Sequence, residues 1–265
     1  VRPHFLHGGD YNPDQWPEDL WDEDFKLMQE AHVNAVSVGI FAWARLEPAD
    51  GVFDFGWLDR ILELAQAHDV GVVLATPTAA HPRWLTKAHP EVQRVREYGR
   101  PREPHTGRVN FCLTAPVYRE YAARITRELA TRYRDYPLLA WHVHNEYGGG
   151  CFCETCAEAF RAWLQARYRT IDAVNDAWWT AFWSQTFFDW DEIHPYAPAA
   201  RGLELDWKRF VSDQCLACYR NEADVLREVT PHVPVTTNTY GRFVDYDGRK
   251  WAPHLDFIAF DSYPQ

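Results

Sequence analysis

The sequence has little methionine and no long apolar run. Its only methionine is Met28, and no apolar stretch approaches the ~20 residues that a membrane-spanning helix requires. Residues 1–9 also lack the basic and then apolar segments of a secretory signal peptide. We therefore expect no membrane partner. Because the chain begins with Val1 rather than methionine, we also expect that its natural N terminus was processed or cut.

Basic residues are also scarce relative to acidic ones. The chain has 27 Lys and Arg against 38 Asp and Glu, which gives a formal net charge of −11. A protein with this balance repels phosphate backbones instead of collecting them. The composition therefore argues against nucleic acid as a partner.

The remaining composition is that of a globular protein with a sizeable core. Of the 265 residues, 46% are hydrophobic, 25% charged and 15% aromatic, which excludes disordered and low-complexity classes. Single (β/α) barrels commonly run to about 250 residues. The 13 Trp, 13 Tyr and 15 Phe fill cores, and because aromatic faces also stack on flat apolar ligand surfaces, they are consistent with a ring-binding cleft.

Short β-branched runs alternate with amphipathic helical patterns along the chain, which predicts strand-helix units that build a parallel sheet. We predict helices over 57–68, 116–135 and 204–229 from apolar residues at helical spacing. The predicted strands are six in number and cover residues 5–9, 35–40, 71–76, 138–144, 235–238 and 257–260.

Loop chemistry favours a closed barrel over an open doubly wound sheet. No Gly-x-Gly-x-x-Gly turn follows the first strand, so the dinucleotide-binding version of the open sheet loses its main motif. Polar and aromatic residues instead follow successive strands, as a barrel's catalytic face requires. The predicted fold is therefore an α/β (β/α)8 TIM barrel of which about six units are present. We expect residues 1–265 to be the N-terminal part of a catalytic barrel domain, with an insertion at about 148–202, and with the remaining barrel and later domains absent.

The strongest chemical motif is the end of the fourth predicted strand, Trp141-His142-Val143-His144-Asn145-Glu146-Tyr147-Gly148. Strict alternation would send Asn145 and Glu146 to opposite faces, so both point into one pocket only if the strand ends or bulges there. Cleavage of a glycosidic bond requires a protonated carboxyl group near the leaving oxygen. Glu146 is the candidate for that acid.

With its neighbouring motifs, the sequence resembles glycoside hydrolase family 42, the β-galactosidases whose barrel carries an acid/base Glu directly after an Asn at the end of strand four. The resemblance covers essentially the whole chain. The matching segments are Gly9-Asp10-Tyr11-Asn12-Pro13-Asp14-Gln15-Trp16-Pro17, Phe41-Ala42-Trp43-Ala44-Arg45-Leu46-Glu47-Pro48, Asn145-Glu146-Tyr147-Gly148 and Asp261-Ser262-Tyr263-Pro264.

The resemblance implies a role for each matching position. Glu146 would be the general acid/base and Asn145 the amide that holds a sugar hydroxyl beside the reacting carbon. Arg108 would bind substrate, and Tyr263 would face the nucleophile. Trp43, with Phe41 and Trp84, is a candidate sugar platform. The family's nucleophile is a Glu after strand seven, so it would lie beyond residue 265, and we expect the present chain alone to be inactive. The resemblance also implies a β-galactoside substrate, a retaining mechanism and a homotrimer.

Three of the six cysteines are packed into the motif Cys151-x-Cys153-x-x-Cys156. This spacing discourages disulfides between neighbours and suits thiolates that converge on one tetrahedral ion. Cys112 is the natural fourth ligand, and the resemblance agrees, since many family members carry a four-cysteine zinc site. We expect structural Zn²⁺ and no organic cofactor; the alternative is free or oxidised thiols. Thiolate ligands of this kind fit a reducing compartment, hence the cytoplasm.

Two other functions remain open at this stage. A barrel that lacks a nucleophile would be a noncatalytic sugar-binding or scaffold protein. A metal-dependent hydrolase is suggested by the pair His142-x-His144 and by His4 and His7.

Overall fold

The computed structural model describes residues 5–196, 201–239 and 246–261. Five parallel strands form one sheet in chain order, and each pairs with the next. Two further short strands form a second parallel pair. The strands are β1 (Gly8–Tyr11), β2 (Ala35–Val38), β3 (Gly71–Ala75), β4 (Ala140–His142), β5 (Val235–Thr236), β6 (Asn238–Thr239) and β7 (Ala259–Phe260).

Helices connect the strands, as the alternating pattern predicts. The α-helices are α1 (Trp21–Glu30), α2 (Trp43–Leu46), α3 (Gly56–Ala67), α4 (Arg83–Ala88), α5 (Pro116–Arg132), α6 (Glu154–Tyr168), α7 (Ile171–Trp178), α8 (Arg201–Val229) and α9 (Gly248–Trp251). Short 3₁₀ turns cover Pro13–Gln15, Glu18–Leu20, Pro77–Ala79, Pro90–Val92, Phe182–Ser184, Trp190–Glu192 and Ala252–His254. None of the helices in the described ranges combines the length and apolarity that crossing a bilayer would require.

The predicted helices are confirmed, and α5 shows why its sequence folds in this way. It begins with Pro116, whose fixed backbone suits a first helical turn. Its buried face carries Tyr118, Ala122, Ile125 and Leu129 at helical spacing. The predicted insertion contains two helices, α6 and α7, that the pattern did not assign.

The first strand begins later than predicted, because close packing against β2 selects glycine. Phe5 is exposed and lies outside β1, which begins at Gly8. A Cβ atom at Gly8 would lie 1.6 Å from the carbonyl oxygen of Ala35, so a larger residue could not pair there. The first strand therefore begins at Gly8, which can lie close enough to pair with β2, and not at the apolar residues before it.

The predicted strand 235–238 is divided at Thr237. β5 pairs with β4 through Val235 and Thr236, whereas β6 begins at Asn238 and pairs with β7. The division changes the strand's neighbour and brings Asn238 to the carboxyl end of the sheet beside the residues that follow β4.

A buried carboxylate joins α8 to α5 and to the turn that follows β3. Glu222 is completely buried, and its oxygens accept hydrogen bonds from Thr78 Oγ1 at 2.9 and 3.0 Å and from Thr126 Oγ1 at 3.3 Å. Tyr147 donates a longer bond of 3.4 Å. Burial raises the pKa of Glu222 from 4.5 to about 7, although the hydroxyl donors oppose the shift.

We expect Glu222→Gln to remove a pH-dependent part of the protein's stability. Between pH 4.5 and about 7, the Glu222 carboxyl group is protonated in the folded state and ionised in the unfolded state. Its contribution to the free energy of unfolding is therefore complete below pH 4.5 and is lost as the pH rises through 7. The free energy of unfolding of wild type relative to the variant should fall by roughly 3 kcal/mol at most between pH 5 and 8. Thermal and urea unfolding at the two pH values measure it.

Neighbouring groups do not titrate in this range. Burial raises the pKa values of Tyr118 and Tyr147 well above their usual range and that of Cys218 to about 12. Glu120→Gln, at an exposed position of α5, is the control and should keep the wild-type pH dependence. An unchanged pH dependence in Glu222→Gln would contradict the assignment.

Candidate active site

The segment after β4 leaves the strand conformation at once. β4 ends at His142, earlier than the predicted 144, and both His144 (φ 59°) and Glu146 (φ 50°) adopt left-handed backbone conformations. Such angles are uncommon for residues other than glycine. They break the strand alternation, as the prediction for Asn145 and Glu146 requires.

Asn238, at the start of β6, connects the residues of this site. Its Oδ1 accepts the Glu146 backbone N–H at 2.9 Å and lies 3.1 Å from His142 Nε2. Its Nδ2 donates to Asn145 Oδ1 at 3.1 Å and to the two carboxylate oxygens of Asp261 at 3.1 and 3.0 Å. One amide therefore fixes the backbone of Glu146, the side chain of Asn145 and the carboxylate of Asp261.

The Glu146 carboxyl group lies between a cation and a second acid. Its Oε2 is 2.9 Å from Arg108 Nη1, and its side chain is 13% exposed. Burial and a hydrogen bond with Asp261 raise its pKa, whereas Arg108 acts in the opposite direction. The net upward shift favours a carboxyl group that retains its proton, which is what a general acid needs.

Arg108 reaches Glu146 from an exposed loop. Its side chain is 51% exposed, and its guanidinium carbon lies 5.5 Å from the centre of the Phe41 ring. Gly107 (φ 102°) and Val109 (φ 54°) on either side have left-handed backbone angles that turn the loop here. The exposed guanidinium keeps donors available for a ligand, as a substrate-binding role requires.

Trp43 is buried, unlike Arg108. Its side chain is 0% exposed, and its indole N–H donates to Glu47 Oε2 at 2.9 Å. Glu47 is also buried, accepts the Gly51 N–H at 2.9 Å and pairs with Arg124. In this conformation the Trp43 ring is enclosed by protein, and its direct sugar contact stays a prediction.

The other two aromatic residues predicted to form the sugar platform, Trp84 and Phe41, differ in exposure. Trp84 is partly buried, and its indole N–H donates to the Glu47 carbonyl oxygen at 2.8 Å. Phe41 is partly exposed and stacks beside Arg108. Tyr263 lies outside the described residues, so its predicted position toward the nucleophile remains a prediction.

The four cysteines of the predicted zinc site converge. The sulfur atoms of Cys112, Cys151, Cys153 and Cys156 lie within 4.8 Å of one another, and all four residues are buried. Cys112 Sγ is 3.7 Å from Cys153 Sγ and 3.3 Å from Cys156 Sγ. Four ligands at the Zn–S distance of about 2.3 Å would place sulfurs about 3.8 Å apart. The donor set therefore fits a tetrahedral zinc ion with four thiolates.

Histidines do not form a comparable group. Burial lowers the pKa of His144 to about 3, and its ring stacks on Tyr147 with 4.0 Å between centroids. His142 bonds to Asn238, and His7 is exposed; His4 lies outside the described residues. Within the described ranges, the group of three or more His, Cys, Asp or Glu side chains that could hold a metal ion is the cysteine cluster. The predicted alternative of a His-ligated metallohydrolase therefore has no ligand set there.

Asn238 and Glu222 are the important residues that the sequence analysis did not assign. Asn238 is polar and ends a predicted strand, which is a usable indication, but its partners come from two distant segments, residues 142–146 and Asp261. Glu222 lies in the middle of a helix, where a glutamate is ordinarily a solvent-exposed residue, and nothing in the local pattern indicates its burial.

Known β-galactosidases are similar to this chain over almost its whole length. A β-galactosidase family model, glycoside hydrolase 42, matches residues 10–265. The chain is 49% identical to the β-galactosidase BglY of Alicyclobacillus acidocaldarius, a match that covers 98% of this chain and 39% of that protein. It spans about 40% of the length of the curated relatives that it matches.

Solved structures give the same result. Gan42B, a GH42 β-galactosidase from G. stearothermophilus, is similar with a TM-score of 0.94 at 49% identity, over 98% of this chain and 40% of that one. A cold-adapted β-galactosidase from Rahnella sp. R3 matches with a TM-score of 0.95 at 44% identity, over 98% and 39%. The predicted TIM-barrel fold is confirmed, with part of the barrel present. The chain belongs to glycoside hydrolase family 42, the β-galactosidase family.

Proposed function

We propose that the whole protein is a retaining β-galactosidase in which Glu146 is the general acid/base and the nucleophile is a Glu beyond residue 265. The observation that carries the proposal is the position of Glu146 at the end of β4, where burial and Asp261 raise its pKa while Arg108 contacts it. The names of the relatives supply the substrate class.

Glu146 would act twice. Its protonated carboxyl group donates a proton to the glycosidic oxygen as the bond from that oxygen to the sugar C1 breaks and the nucleophile attacks C1. Its carboxylate then takes a proton from the water that hydrolyses the glycosyl-enzyme. Asn145, held by Asn238, would bind the hydroxyl beside C1, and Arg108 would donate to the sugar. Because a retaining pair needs carboxyl groups about 5–5.5 Å apart, residues 1–265 alone would be inactive.

We expect Glu146→Gln in the full-length protein to separate substrates by leaving group. For lactose, whose leaving group needs a proton, kcat/KM should fall by about 10²–10⁴. For 2,4-dinitrophenyl β-galactoside, whose leaving group needs none, kcat/KM should fall by less than about 10-fold. Steady-state kinetics with both substrates measure the difference.

The exposed Glu97 pairs only with Arg100 on the surface among its described contacts, so Glu97→Gln is the matched control and should behave like wild type. Equal losses for the two substrates in Glu146→Gln would refute the acid/base role. Sugar binding without turnover by the wild-type protein would instead favour the noncatalytic sugar-binding barrel.

We infer that Cys112, Cys151, Cys153 and Cys156 hold a structural zinc ion. Their convergence and burial support this, as does the Val95 N–H, which donates to Cys151 Sγ at 3.3 Å. Four thiolates leave no coordination position for water, so zinc would stabilise the fold without joining the chemistry. A thiolate site of this kind also supports a cytoplasmic location, because reducing conditions keep such cysteines free of disulfides.

We expect Cys153→Ser to release zinc and to lower the unfolding midpoint of the full-length protein by roughly 5 °C or more. The kcat of the molecules that remain folded should change little. Cys218→Ser, at a buried cysteine outside the cluster, is the control and should retain the metal. Elemental analysis, calorimetry and active-site titration measure the three quantities, and zinc retention by Cys153→Ser would contradict the ligand assignment.

We further propose that the whole protein forms a homotrimer, as the resemblance implies, with the aromatic segment after α7 at the interface. Trp179, Phe182, Trp183 and Phe188 are 86%, 69%, 74% and 81% exposed. Exposed apolar groups concentrated in this way mark association surfaces.

We expect the double variant Trp183→Ala/Phe188→Ala to shift the full-length protein toward monomers in light scattering coupled to size exclusion, because it removes apolar area from that surface. Leu27→Ala, at an exposed apolar position of α1, should leave the assembly unchanged. A monomeric wild type would refute the trimer, and a trimeric double variant would refute this surface.

A further inference from the structure

We propose that Glu222 is a positioning residue for the acid/base segment, residues 144–147. It holds this segment on one side through Tyr147, which follows Glu146, and on the other side through Thr76, which binds the backbone of His144. The inference rests on the function proposed for Glu146. Glu222 lies on α8 and reaches no solvent, so it acts through other residues and not on the sugar.

The contact on the C-terminal side runs through Tyr147, the residue after Glu146. Its hydroxyl group donates to Glu222 Oε1 at 3.4 Å. Its ring is buried and stacks on His144 with an angle of 11° between the planes. Its carbonyl oxygen accepts the hydroxyl of Tyr246. Tyr147 therefore fixes both the backbone and the ring that adjoin Glu146.

The contact on the N-terminal side runs through Thr76, which follows β3. Thr76 Oγ1 accepts the His144 backbone N–H at 2.8 Å. Its own hydroxyl hydrogen is then available for Glu222, and the Thr76 side chain acts to lower the pKa of that carboxyl group. His144 and Tyr147 thus reach the same carboxylate by separate routes, and the segment between them contains Asn145 and Glu146.

The backbone of this segment needs such support. His144 and Glu146 are not glycines, yet both have positive φ. Conformations of this kind persist where the surroundings determine them, and they cluster at functional sites. Neither ring nitrogen of His144 has a hydrogen-bond partner in the described chain. This residue is therefore held by its backbone N–H and by the stacking of its ring.

A carboxylate suits this position better than an amide. Three hydroxyl groups, those of Thr78, Thr126 and Tyr147, donate to Glu222, and the nearby Thr76 side chain also acts to lower its pKa. The ionised form of Glu222, which predominates above pH 7, presents two oxygens that only accept, whereas glutamine presents one oxygen and an NH₂ group that must itself find acceptors. Glu222→Gln therefore keeps the size of the side chain and disrupts the hydrogen bonds that hold the segment.

The test uses full-length protein and the two substrates already named. We expect Glu222→Gln to lower kcat/KM for lactose by about 10–100-fold, because a small displacement of the acid from the leaving oxygen is costly. The loss for 2,4-dinitrophenyl β-galactoside should be at most a third as large, since no proton is needed. Tyr147→Phe removes only the hydroxyl group. It should also lower kcat/KM more for lactose than for 2,4-dinitrophenyl β-galactoside, but with a smaller difference between the two losses than in Glu222→Gln.

The matched control is Asp206→Asn, another buried carboxylate on α8 but one bonded elsewhere, to Tyr168 at 2.6 Å and Trp178 at 2.9 Å. It should lower both activities by one common factor. If Glu222→Gln also lowers both equally, the positioning role is refuted. If that variant does not fold, the decision passes to Tyr147→Phe, and an unchanged ratio there refutes the proposal.

Amide hydrogen exchange of residues 143–148 separates this proposal from the proposed function. We expect exchange there to become at least about 10-fold faster in Glu222→Gln than in Asp206→Asn, since local opening follows lost hydrogen bonds. If Glu146→Gln shows no leaving-group selectivity, the acid/base function fails, and the exchange result still decides whether Glu222 holds the segment. Unchanged exchange in both Glu222→Gln and Tyr147→Phe overturns the proposal.

Discussion

The site depends on the side-chain amide of Asn238. Its oxygen accepts from the Glu146 backbone, and its nitrogen donates to both Asn145 and Asp261. An amide can do this because it carries acceptor and donor sites a fixed distance apart. The division of the fifth strand at Thr237 is what brings that amide to the end of β4, so a local change in strand pairing determines the arrangement of the candidate catalytic group.

The protonation of Glu146 follows from opposing neighbours. Asp261 and partial burial favour the neutral acid, whereas Arg108 favours the carboxylate. An acid that must donate and then accept a proton needs such a balance, since a strong preference for either form would slow one of its two steps.

The sequence was sufficient for features encoded by neighbouring residues. Asn145 and Glu146 beside a glycine run, and three cysteines within Cys151-x-Cys153-x-x-Cys156, are local patterns, and the structure brings each set together. It was insufficient where tertiary packing decides. Trp43 occurs in a family motif, but its burial depends on Glu47, and the importance of Glu222 depends on hydroxyl groups from three distant segments. Periodicity describes a helix face, and it does not reveal which buried polar group that face meets.

The cysteine cluster joins the two segments that carry Arg108 and Glu146, because Cys112 follows the first and Cys151 follows the second. Backbone hydrogen bonds connect each of these segments to residues 94–95: the Arg94 N–H donates to the Asn110 carbonyl oxygen at 3.0 Å, and the Phe152 N–H donates to the Val95 carbonyl oxygen at 2.8 Å. These bonds need no metal, so they maintain the relative position of the two segments in any molecule that stays folded. The cluster therefore contributes to the stability of the fold, whereas the hydrogen bonds of Asn238 set the geometry at the candidate acid.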